Sequence, residues 1–473
     1  MKIQLQNFGP IEFFEFDTKT QMHFIFGENN VGKSYAISAV YLLLKHLAQP
    51  SSKRTNVELI DITKELASIE TYVKDKIEEN NSVDITMQLE NAWNTIFSQT
   101  VLIDINNSFG TSFDSINTLT NCFANKKLTI CLKFDTVEFI LDVNKEGVFE
   151  VQSVQTDFIT TINNDNKTNL SSEFERTKNK ETLKIFCFKD TNKNIDFPEL
   201  IDGITDWFYE NTIIEVSFQV GNVYFLPASR SGLYNALSAF GAIFAELSQS
   251  RMFLRSKIEL PNIAEPVSDY FLNLSSIRSS DKRNEDLMSI ATAIEQNILK
   301  GEVVFNSKSK KLSYAPNNLK INLDLSFTSS MISEIAPIVA HLKYVIKKNN
   351  SVRRNLIQER PNWLFIEEPE AHLHPRIQVE LIKLFVKLSK LGVKIVITSH
   401  SNYLFNKLSN LVLAKEIDTK DIEVYHFKMG KHGSCVDAES MKVNVEGIED
   451  ANFSDVAEEL YSERLELYDH IEL

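Results

Sequence analysis

The chain has 473 residues, a length that predicts about two or three lobes. Its 43% hydrophobic and 24% charged residues are ordinary for a soluble globular protein. The net charge of −14 excludes a surface that is basic throughout, the kind that coats nucleic acid through its phosphates. No apolar run reaches the ~18 residues of a membrane span, and residues 1–8 alternate like a strand rather than a signal peptide. We therefore expect a cytoplasmic protein with no membrane partner.

Two short strands are predicted at the start, around residues 3–8 and 12–16, joined by the turn dipeptide Gly9-Pro10. An apolar run at residues 23–26 then leads into a loop bracketed by glycines, and a helical pattern follows at residues 35–44. The loop matches the phosphate-loop pattern G-x-x-x-x-G-K-[ST] in the strand–loop–helix context that the pattern requires. Its residues are Gly27, Glu28, Asn29, Asn30, Val31, Gly32, Lys33 and Ser34.

This loop predicts nucleotide binding for a physical reason. Gly27 and Gly32 let the backbone curl so that successive N–H groups point at phosphate oxygens, with a helix N-terminus behind them. Lys33 would reach the β- and γ-phosphates, and the Ser34 hydroxyl would ligate Mg²⁺. The predicted cofactors are therefore ATP and Mg²⁺.

The next part of the chain carries weaker patterns. A helical pattern runs from about residue 56 to residue 79. Residues 80–220 are irregular and rich in Asn, Thr and Asp, with strand-like runs at residues 128–132 and 138–141. We predict a mixed α/β insertion between the halves of a nucleotide-binding core. No heptad series is long enough for an extended coiled coil.

Order returns with a short apolar strand at residues 223–230, followed by a helical lobe. The lobe's predicted helices cover about residues 233–255, 267–274 and 285–299, and strand-like runs come after them at residues 302–305 and 319–325. Residues 326–334, a serine-rich segment, then lead into an apolar helix at residues 335–345. Serines just before a helix are N-caps by default, and we expect that role here.

The second decisive segment is residues 363–375, Trp-Leu-Phe-Ile-Glu-Glu-Pro-Glu-Ala-His-Leu-His-Pro. An apolar strand that ends in two adjacent carboxylates is the Walker B arrangement. Glu367 would help hold Mg²⁺, and Glu368 would act as general base on the attacking water. Because neighbouring residues of a strand point to opposite faces, the strand must end at Glu367 for both carboxylates to serve one site.

A third strand, residues 393–398, ends at Ser399-His400-Ser401. The helix predicted at residues 377–391 separates it from the acidic strand, which makes a β-α-β crossover and hence parallel pairing. Parallel strands bring their carboxyl ends to one edge of the sheet, where ligands bind. We therefore expect the lysine loop, the glutamate pair and His400 to line one pocket. His400 would contact the γ-phosphate or the attacking water.

Other charged and metal-binding side chains carry less specific signals. Basic runs could form local nucleic-acid contacts or, more commonly, a solvated helix face; they are Lys343, Lys347, Lys348, Arg353 and Arg354, and Lys308, Lys310 and Lys311. His372 and His374 lack further ligands nearby, which argues against a zinc site. The cysteines lack C-x-x-C spacing and are expected to be reduced thiols; they are Cys122, Cys131, Cys187 and Cys435.

Together, residues 27–34, 363–375 and 398–401 resemble the ABC-type ATPases related to SMC proteins and RecF. The closer resemblance is to the overcoming-lysogenization-defect type, marked by a Glu-Glu-Pro-Glu-x-His-Leu-His-Pro segment. The run at residues 224–230 resembles the strand that leads into that group's Q-loop. The resemblance implies an α/β P-loop fold of ABC type, with a mixed or parallel sheet core, a helical lobe, an α/β insertion and no long coiled coil.

The resemblance also implies a mechanism. Two protomers would pack head to tail, each nucleotide lying between the phosphate loop of one and the signature serines, Ser329 and Ser330, of the other. ATP would close the dimer and hydrolysis would release it. The sequence departs from the family pattern at three points. Glu367 replaces the usual Asp, no Gln occupies the Q-loop position, so that Ser229 or Arg230 must substitute, and the signature lacks its Gly-Gly.

The segment after His400 separates the subfamilies. A TOPRIM nuclease domain needs on the order of a hundred residues, whereas only residues 402–473 remain, so we expect no nuclease within this chain. The chain is then similar to the ATPase subunits of the Septu, retron-Septu and PARIS anti-phage systems, which act with a separate nuclease of HNH or TOPRIM type. Residues 454–473 form an acidic helical pattern with one apolar face. That face, Val456, Leu460, Leu467 and Ile471, could dock on the protein's own core or on an effector.

We divide the chain into residues 1–50 and 346–425 as the two parts of the ATPase core, 51–220 as the insertion, 221–345 as the helical lobe and signature region, and 426–473 as a tail. The favoured function is a sensor ATPase that controls a nuclease in phage defence. The alternatives are a scaffold whose bound ATP holds an oligomer together with little turnover, and a RecF-like DNA-repair ATPase.

Overall fold

The structure is a computed structural model and describes residues 1–48, 63–77, 82–121, 123, 126–167, 171–176, 181–188, 219–236, 262–278, 284–306, 311–348, 350–353, 356–437, 441–450 and 454–469. Its strands are β1 (Lys2–Phe8), β2 (Ile11–Asp17), β3 (Met22–Gly27), β4 (Ser82–Asp84), β5 (Thr129–Lys133), β6 (Val137–Val143), β7 (Phe149–Thr156), β8 (Phe158–Lys167), β9 (Ser171–Arg176), β10 (Glu181–Phe188), β11 (Asn222–Leu226), β12 (Gly301–Asn306), β13 (Lys311–Pro316), β14 (Leu323–Asp324), β15 (Asn350–Arg353), β16 (Leu356–Glu359), β17 (Asn362–Glu367), β18 (Val393–Thr398), β19 (Ile422–Gly430), β20 (Gly433–Val436), β21 (Val443–Asn444) and β22 (Gly447–Ile448).

The α-helices are α1 (Lys33–Ala48), α2 (Thr63–Ile77), α3 (Thr86–Gln99), α4 (Val101–Ser112), α5 (Glu265–Ser275), α6 (Glu285–Ile294), α7 (Ser330–Ala340), α8 (Pro375–Lys390), α9 (Asn402–Leu413) and α10 (Ser454–Asp469). The longest of these have 16 residues, so the described ranges contain no long coiled coil, as predicted. In the same ranges no helix is both long and apolar enough to cross a bilayer.

The chain forms two compact units. The first consists of Met1–Thr18 and Leu42–Val220. Its main sheet is antiparallel, in the order β2-β1-β5-β6-β7, and a smaller sheet has the order β4-β8-β10-β9. Helices α3 and α4 pack on β7, and their aromatic side chains fill the core beneath. Phe97 of α3, for example, stacks on Phe139 of β6 with ring centroids 4.4 Å apart.

The boundary of this unit differs from the one we drew. We predicted that residues 1–50 belong to the ATPase core, whereas Met1–Thr18 lie in the first unit. The reason is strand pairing: β1 pairs with both β2 and β5, so the start of the chain completes the sheet of the insertion. The strand-like runs at residues 128–132 and 138–141 are present as β5 and β6. Of the helix predicted at residues 56–79, only α2 lies within the described residues.

The second unit consists of Lys19–Tyr41 and Gly221–Leu473. Its central strands run in the order β11-β17-β18-β3-β19-β20, parallel as far as β19 and antiparallel between β19 and β20. This mixed sheet with a phosphate loop confirms the predicted fold class. Residues 363–366 and 395–397 are buried along their whole length, as expected for parallel strands covered on both faces. Because β3, β17 and β18 are parallel, their carboxyl ends lie at one edge.

The helical lobe of the second unit contains α5, α6, α7 and the hairpin of β12 and β13. Helix α6 continues into a π-helical turn at Glu295–Leu299, and α7 continues into a second one at His341–Val345. The strand predicted at residues 319–325 is wrong, since only Leu323–Asp324 is extended, and β13 was not predicted. The helix predicted at residues 233–255 lies outside the described residues beyond position 236.

Helix α10 does not pack on the protein's own core over the part whose side chains are described. Every side chain from Glu458 to Tyr468 is exposed. Five of them are large and apolar, and they are Leu460, Tyr461, Leu465, Leu467 and Tyr468. Of the two alternatives for this helix, the structure therefore leaves the apolar face open for another molecule. Ile471 and the side chain of Val456, which we also placed on that face, lie outside the part of the chain that the structure describes.

Gly221, just before β11, allows the backbone there to pack closely against the residue that precedes β17. Gly221 has φ +70°, and a Cβ added there would lie 2.0 Å from the carbonyl oxygen of Pro361. We expect Gly221→Ala to reduce the free energy of unfolding by about 2 kcal/mol or more, because both the backbone angle and the contact are unfavourable.

The measurement is the midpoint of urea unfolding, and Gly232→Ala is the matched control in the same unit. An added Cβ at Gly232 meets no atom within 4 Å, so this variant should keep the midpoint or raise it slightly. Equal midpoints for the two variants would contradict the role given to Gly221.

Candidate nucleotide-binding site

The loop between β3 and α1 has the backbone angles of an anion-binding turn. Gly27, Asn30 and Gly32 have positive φ angles of 141°, 63° and 91°. A Cβ at position 27 would lie 2.4 Å from the carbonyl oxygen of Phe427, so only glycine fits there. Helix α1 begins directly after the loop at Lys33, which places a helix N-terminus behind it. The loop predicted from sequence therefore has the geometry that phosphate binding requires.

The side chain of Lys33, at the start of α1, reaches back into this loop and is almost fully buried. Its Nζ donates to the carbonyl oxygens of Gly27 at 3.0 Å and Glu28 at 2.6 Å. Burial lowers the pKa of Lys33 to about 8, although three carboxylates nearby, led by that of Glu368, act in the opposite direction. The ammonium is therefore held in place and is weakly hydrated, which favours its interaction with phosphate.

The acidic strand ends where the sequence analysis required. β17 ends at Glu367, and Glu368 has a positive φ of 42°, so the chain leaves the strand between the two carboxylates. The Glu368 N–H donates to the carbonyl oxygen of Thr398 at 3.0 Å, at the end of the neighbouring strand β18. The left-handed backbone at Glu368 lets both carboxylates face one edge of the sheet.

Ser34 and Glu367 are the predicted metal ligands, and they are in contact. Burial raises the pKa of Glu367, while a hydrogen bond from the Ser34 side chain opposes that effect. A second hydrogen bond reaches its Oε2 from the Ala228 N–H at 3.3 Å. A hydroxyl beside a half-buried carboxylate is an oxygen donor set that suits Mg²⁺, and a cation there would relieve the cost of removing that charge from water. The residues present thus fit the predicted ion.

His400 lies against the glutamate pair. Its Nε2 is 3.6 Å from Glu368 Oε1, and its ring is hydrogen-bonded to the backbone of Gly27. Burial, and then the charge of Lys33, lower the pKa of His400. The three sequence motifs that we expected to converge therefore meet in this pocket, although the catalytic roles assigned to them stay predictions.

Glu370 was not singled out by the sequence analysis, yet it fixes the position of His400. Its Oε1 accepts hydrogen bonds from the Ser399 hydroxyl and from the His400 N–H, both at 2.7 Å. Burial raises the pKa of Glu370, and those two hydrogen bonds oppose the shift. The only signal in the sequence was its place as the third carboxylate of Glu-Glu-Pro-Glu.

The Q-loop position differs from expectation. We expected Ser229 or Arg230 to substitute for the missing Gln. Arg230, however, is fully buried, donates to backbone carbonyls and forms an ion pair with the Glu334 carboxylate. Its guanidinium therefore binds groups of the protein itself rather than a ligand. Ser229 is not fully buried, has a positive φ of 54°, and is left as the residue that could face a ligand.

The signature serines lie at the N-terminus of α7, and both are exposed. Ser329 occupies the N-cap position, but its side chain makes no capping hydrogen bond, so the expected capping role is wrong for that side chain. Both serines belong to the helical lobe, and the hydrogen bonds that join the three motifs do not include them.

One lysine of the first basic run is paired within the protein. Lys343 is buried, and its Nζ lies 2.9 Å from Glu295 and 3.3 Å from Glu302, so it cannot belong to an exposed nucleic-acid groove. Lys347 and Lys348 are exposed. In the other run, Lys311 lies 3.5 Å from Asp324. Lys308, Lys310 and Arg354 and the side chain of Arg353 lie outside the described residues.

The histidine pair also has a local explanation. His374 occupies the N-cap position of α8, where its Nδ1 accepts a hydrogen bond from the Arg376 N–H at 3.2 Å. His372 is exposed, with a positive φ of 60°. The structure therefore gives His374 a structural role.

A phosphate loop, a strand-ending glutamate pair and a histidine on the next parallel strand define a P-loop ATPase. Residues 1–405 match the protein family described as AAA ATPase domain, and the chain belongs to this family. Among curated proteins none matches the chain.

Several solved structures are similar to the chain at low identity. One is an SMC head domain from Thermotoga maritima, with 10% identity, 92% of this chain and 97% of that chain covered, and a TM-score of 0.34. A second is an Smc head domain with an extended coiled coil bound to the C-terminal domain of ScpA, derived from Pyrococcus furiosus, with 10% identity, 98% of each chain covered and a TM-score of 0.37. A third is an SmcHead bound to the C-winged helix domain of ScpA, with 11% identity, 92% and 95% covered and a TM-score of 0.36. These TM-scores are too low to define the fold, which is given by the chain's own sheet order.

The lowered pKa of Lys33 predicts a pH-dependent affinity for ATP. Above about pH 8 the free protein loses the proton that the phosphates need, so binding must recover it. We expect the affinity for a fluorescent ATP analogue to fall by up to about tenfold for each pH unit above that value.

Fluorescence titration between pH 7 and 9.5 measures this slope, with Lys33→Arg as control because a guanidinium keeps its proton over the whole range. The Lys33→Arg protein should bind the ATP analogue no more tightly than the wild-type protein does, and its affinity should not fall with pH in this way. A slope of the same size in both proteins would rule out Lys33 as its origin.

Proposed function

We propose that the protein binds Mg²⁺-ATP in this pocket and hydrolyses it slowly, as a switch. The observation that carries the proposal is the approach of Glu368 Oε1 to His400 Nε2 at 3.6 Å, beside the loop that holds Lys33. A base, an imidazole and a buried ammonium at the ends of three parallel strands are the groups that phosphoryl transfer to water needs.

Each residue has a distinct task in this proposal. Lys33 binds the β- and γ-phosphates from the base of the loop, and Ser34 and Glu367 hold the metal ion. The ion supplies charge neutralisation for the phosphates. Glu368 orients the attacking water and accepts its proton, and His400 binds the γ-phosphate or that water. Turnover is slow because Glu367 is longer than the usual Asp and no Gln completes the water site.

We further propose that two copies close head to tail around two nucleotides. The support is the resemblance of residues 27–34 and 398–401 to ABC-type ATPases, together with the exposure of Ser329 and Ser330 at the start of α7. Phe327, which lies just before them, is 81% exposed, which leaves an apolar side chain available to a second copy. ATP would then favour the closed pair and hydrolysis would open it.

The biological role we propose is the regulatory subunit of an anti-phage complex that controls a separate nuclease of HNH or TOPRIM type. The support is the Glu-Glu-Pro-Glu-Ala-His-Leu-His-Pro segment at residues 367–375 and the open helix α10. Leu460 and Leu467 lie one above the other on α10, whereas Glu459 and Glu466 lie along one flank. Such a helix fits an apolar groove with a basic rim.

Two substitutions test the switch. Glu368→Gln should lower kcat by about 100-fold or more while ATP binding persists, so that ATP drives a stable dimer. Lys33→Ala should abolish both binding and dimer formation. Steady-state ATP hydrolysis and light scattering with and without Mg²⁺-ATP measure the two effects.

The same pair of variants decides against the scaffold alternative. If Glu368→Gln keeps full phage resistance and releases the effector normally, while Lys33→Ala loses assembly, bound ATP acts only as structural support. A wild-type protein that binds ATP without any turnover would point the same way.

The regulatory role is tested on α10. The double substitution Leu460→Asp and Leu467→Asp should abolish co-purification of the proposed nuclease partner and abolish phage resistance, with ATPase activity within about twofold of wild type. Ser462→Asp, on the far side of the helix and equally exposed, is the control and should leave all three unchanged. Loss of ATPase activity in the double variant would show that α10 serves the protein's own fold instead.

A further inference from the structure

Arg230 makes an extensive set of hydrogen bonds near the pocket, and all of them go to the protein itself. Its Nη1 donates to the carbonyl oxygens of Glu367 at 2.7 Å and Pro227 at 3.0 Å, and its Nη2 donates to that of Glu368 at 3.2 Å. Its Nε donates to the carbonyl oxygen of Glu334 at 3.2 Å. The side chain is completely buried. The guanidinium therefore braces the backbone of the acidic segment.

The backbone that it braces is strained. Glu368 has φ 42°, in the left-handed region, which is unfavourable for a residue with a side chain. The carbonyl of Glu367 on one side and the carbonyl of Glu368 on the other both accept from Arg230. From the opposite direction the Glu368 N–H is bound by Thr398. The conformation that directs the Glu368 carboxylate toward His400 is thus fixed at both of its peptide groups.

Helix α7 holds Arg230 in turn. Glu334 is 1% exposed, and its Oε2 lies 3.4 Å from Arg230 Nη2. Its Oε1 accepts hydrogen bonds from the Ser231 hydroxyl at 2.6 Å and from the Ser231 N–H at 3.3 Å. An ion pair buried this deeply adds little to stability, because the charges lose their hydration. The pair instead fixes one orientation of the guanidinium. In that orientation the planar group can donate to several acceptors at once.

We propose that Arg230 is a positioning residue that holds Glu368 in the left-handed conformation from which its carboxylate works, and that Glu334 fixes Arg230 from α7. The inference rests on the proposed role of Glu368 as general base. These contacts also connect the helical lobe to the proposed general base, because Glu334 lies one turn from the exposed start of α7. Displacement of α7 moves the guanidinium and releases the Glu368 backbone.

The test compares Arg230→Lys with the wild-type protein. Lysine keeps the charge, but its three donors sit on a single nitrogen and cannot span the acceptors that Nε, Nη1 and Nη2 of Arg230 reach. We therefore expect kcat for ATP to fall by about 100-fold, the usual loss when a catalytic group is misplaced by about 1 Å. The KM for ATP, and the Kd for a fluorescent analogue, should stay within about threefold, because the hydrogen bonds of Lys33 and of Arg230 go to different groups. Glu334→Gln should likewise lower kcat and leave KM nearly unchanged, but its loss of kcat should be smaller.

The matched control is Lys343→Met, which removes another buried cation of the same unit, paired with Glu295 at 2.9 Å and remote from the pocket's hydrogen bonds. It should lower the melting temperature but leave kcat unchanged. The inference is supported if the two variants lose the same stability but Arg230→Lys loses more kcat than Lys343→Met. Equal kcat in the two variants overturns it.

Chemical rescue covers the case in which the lysine variant folds poorly. In Arg230→Ala, millimolar guanidinium should restore kcat several-fold, whereas urea at the same concentration should not. Absence of rescue in a folded Arg230→Ala protein that binds ATP overturns the inference while the proposed function stands. Absence of hydrolysis by the wild-type protein overturns the proposed function, and the inference with it.

Discussion

The candidate site depends on the parallel pairing of β17 with β18. In that register Glu367 lies opposite Thr398, so the strands end side by side, and the residues just beyond them are joined across the edge. The Glu368 N–H binds Thr398, and the Glu370 carboxylate binds the segment after Thr398 through Ser399 and His400. The general base and the histidine therefore belong to one hydrogen-bonded unit. A shift of one strand by a single residue would turn Glu367 away from Ser34 and separate that unit.

The charged side chains of the pocket favour the binding of ligands rather than the stability of the fold. Burial raises the pKa values of Glu367 and Glu370 and lowers that of Lys33, so the folded protein without nucleotide disfavours the charged forms of all three. The carboxylates stabilise the fold only while protonated, and their contribution is lost as the pH rises through their raised pKa values. For Lys33 the unfolded chain holds the proton more tightly, so its effect on stability grows more favourable above about pH 8. Bound cation and phosphate would supply the missing partners.

The local parts of this site were predictable from sequence, and the tertiary parts were not. The phosphate loop and the end of β17 are encoded by glycine spacing and by the alternation rule for neighbouring carboxylates, which need only a few adjacent residues. Glu370 and Arg230 act through groups that are distant in sequence, such as Ser399 and Glu334, and no local pattern reveals those contacts. The burial of Lys343 could not be predicted, because a lysine in a basic run carries no local sign of burial. Met1–Thr18 were assigned by their nearness to the loop in sequence, whereas strand pairing places them with β5.

The ion pair of Lys343 and Glu295 joins two π-helical turns, Glu295–Leu299 and His341–Val345. A π-helical turn holds one residue more than an α-helical turn, so it can be gained or lost through a single-residue change in helix length. Loss of that extra residue in one turn would rotate the residues beyond it by about 100°. Lys343 and Glu295 would then point apart, and Glu295 would be buried without its counter-charge. Any descendant sequence that shortens one of these helices must therefore restore the contact from another position or exchange both charges for apolar side chains. Two segments whose paired charges are 48 residues apart are thus constrained together in evolution.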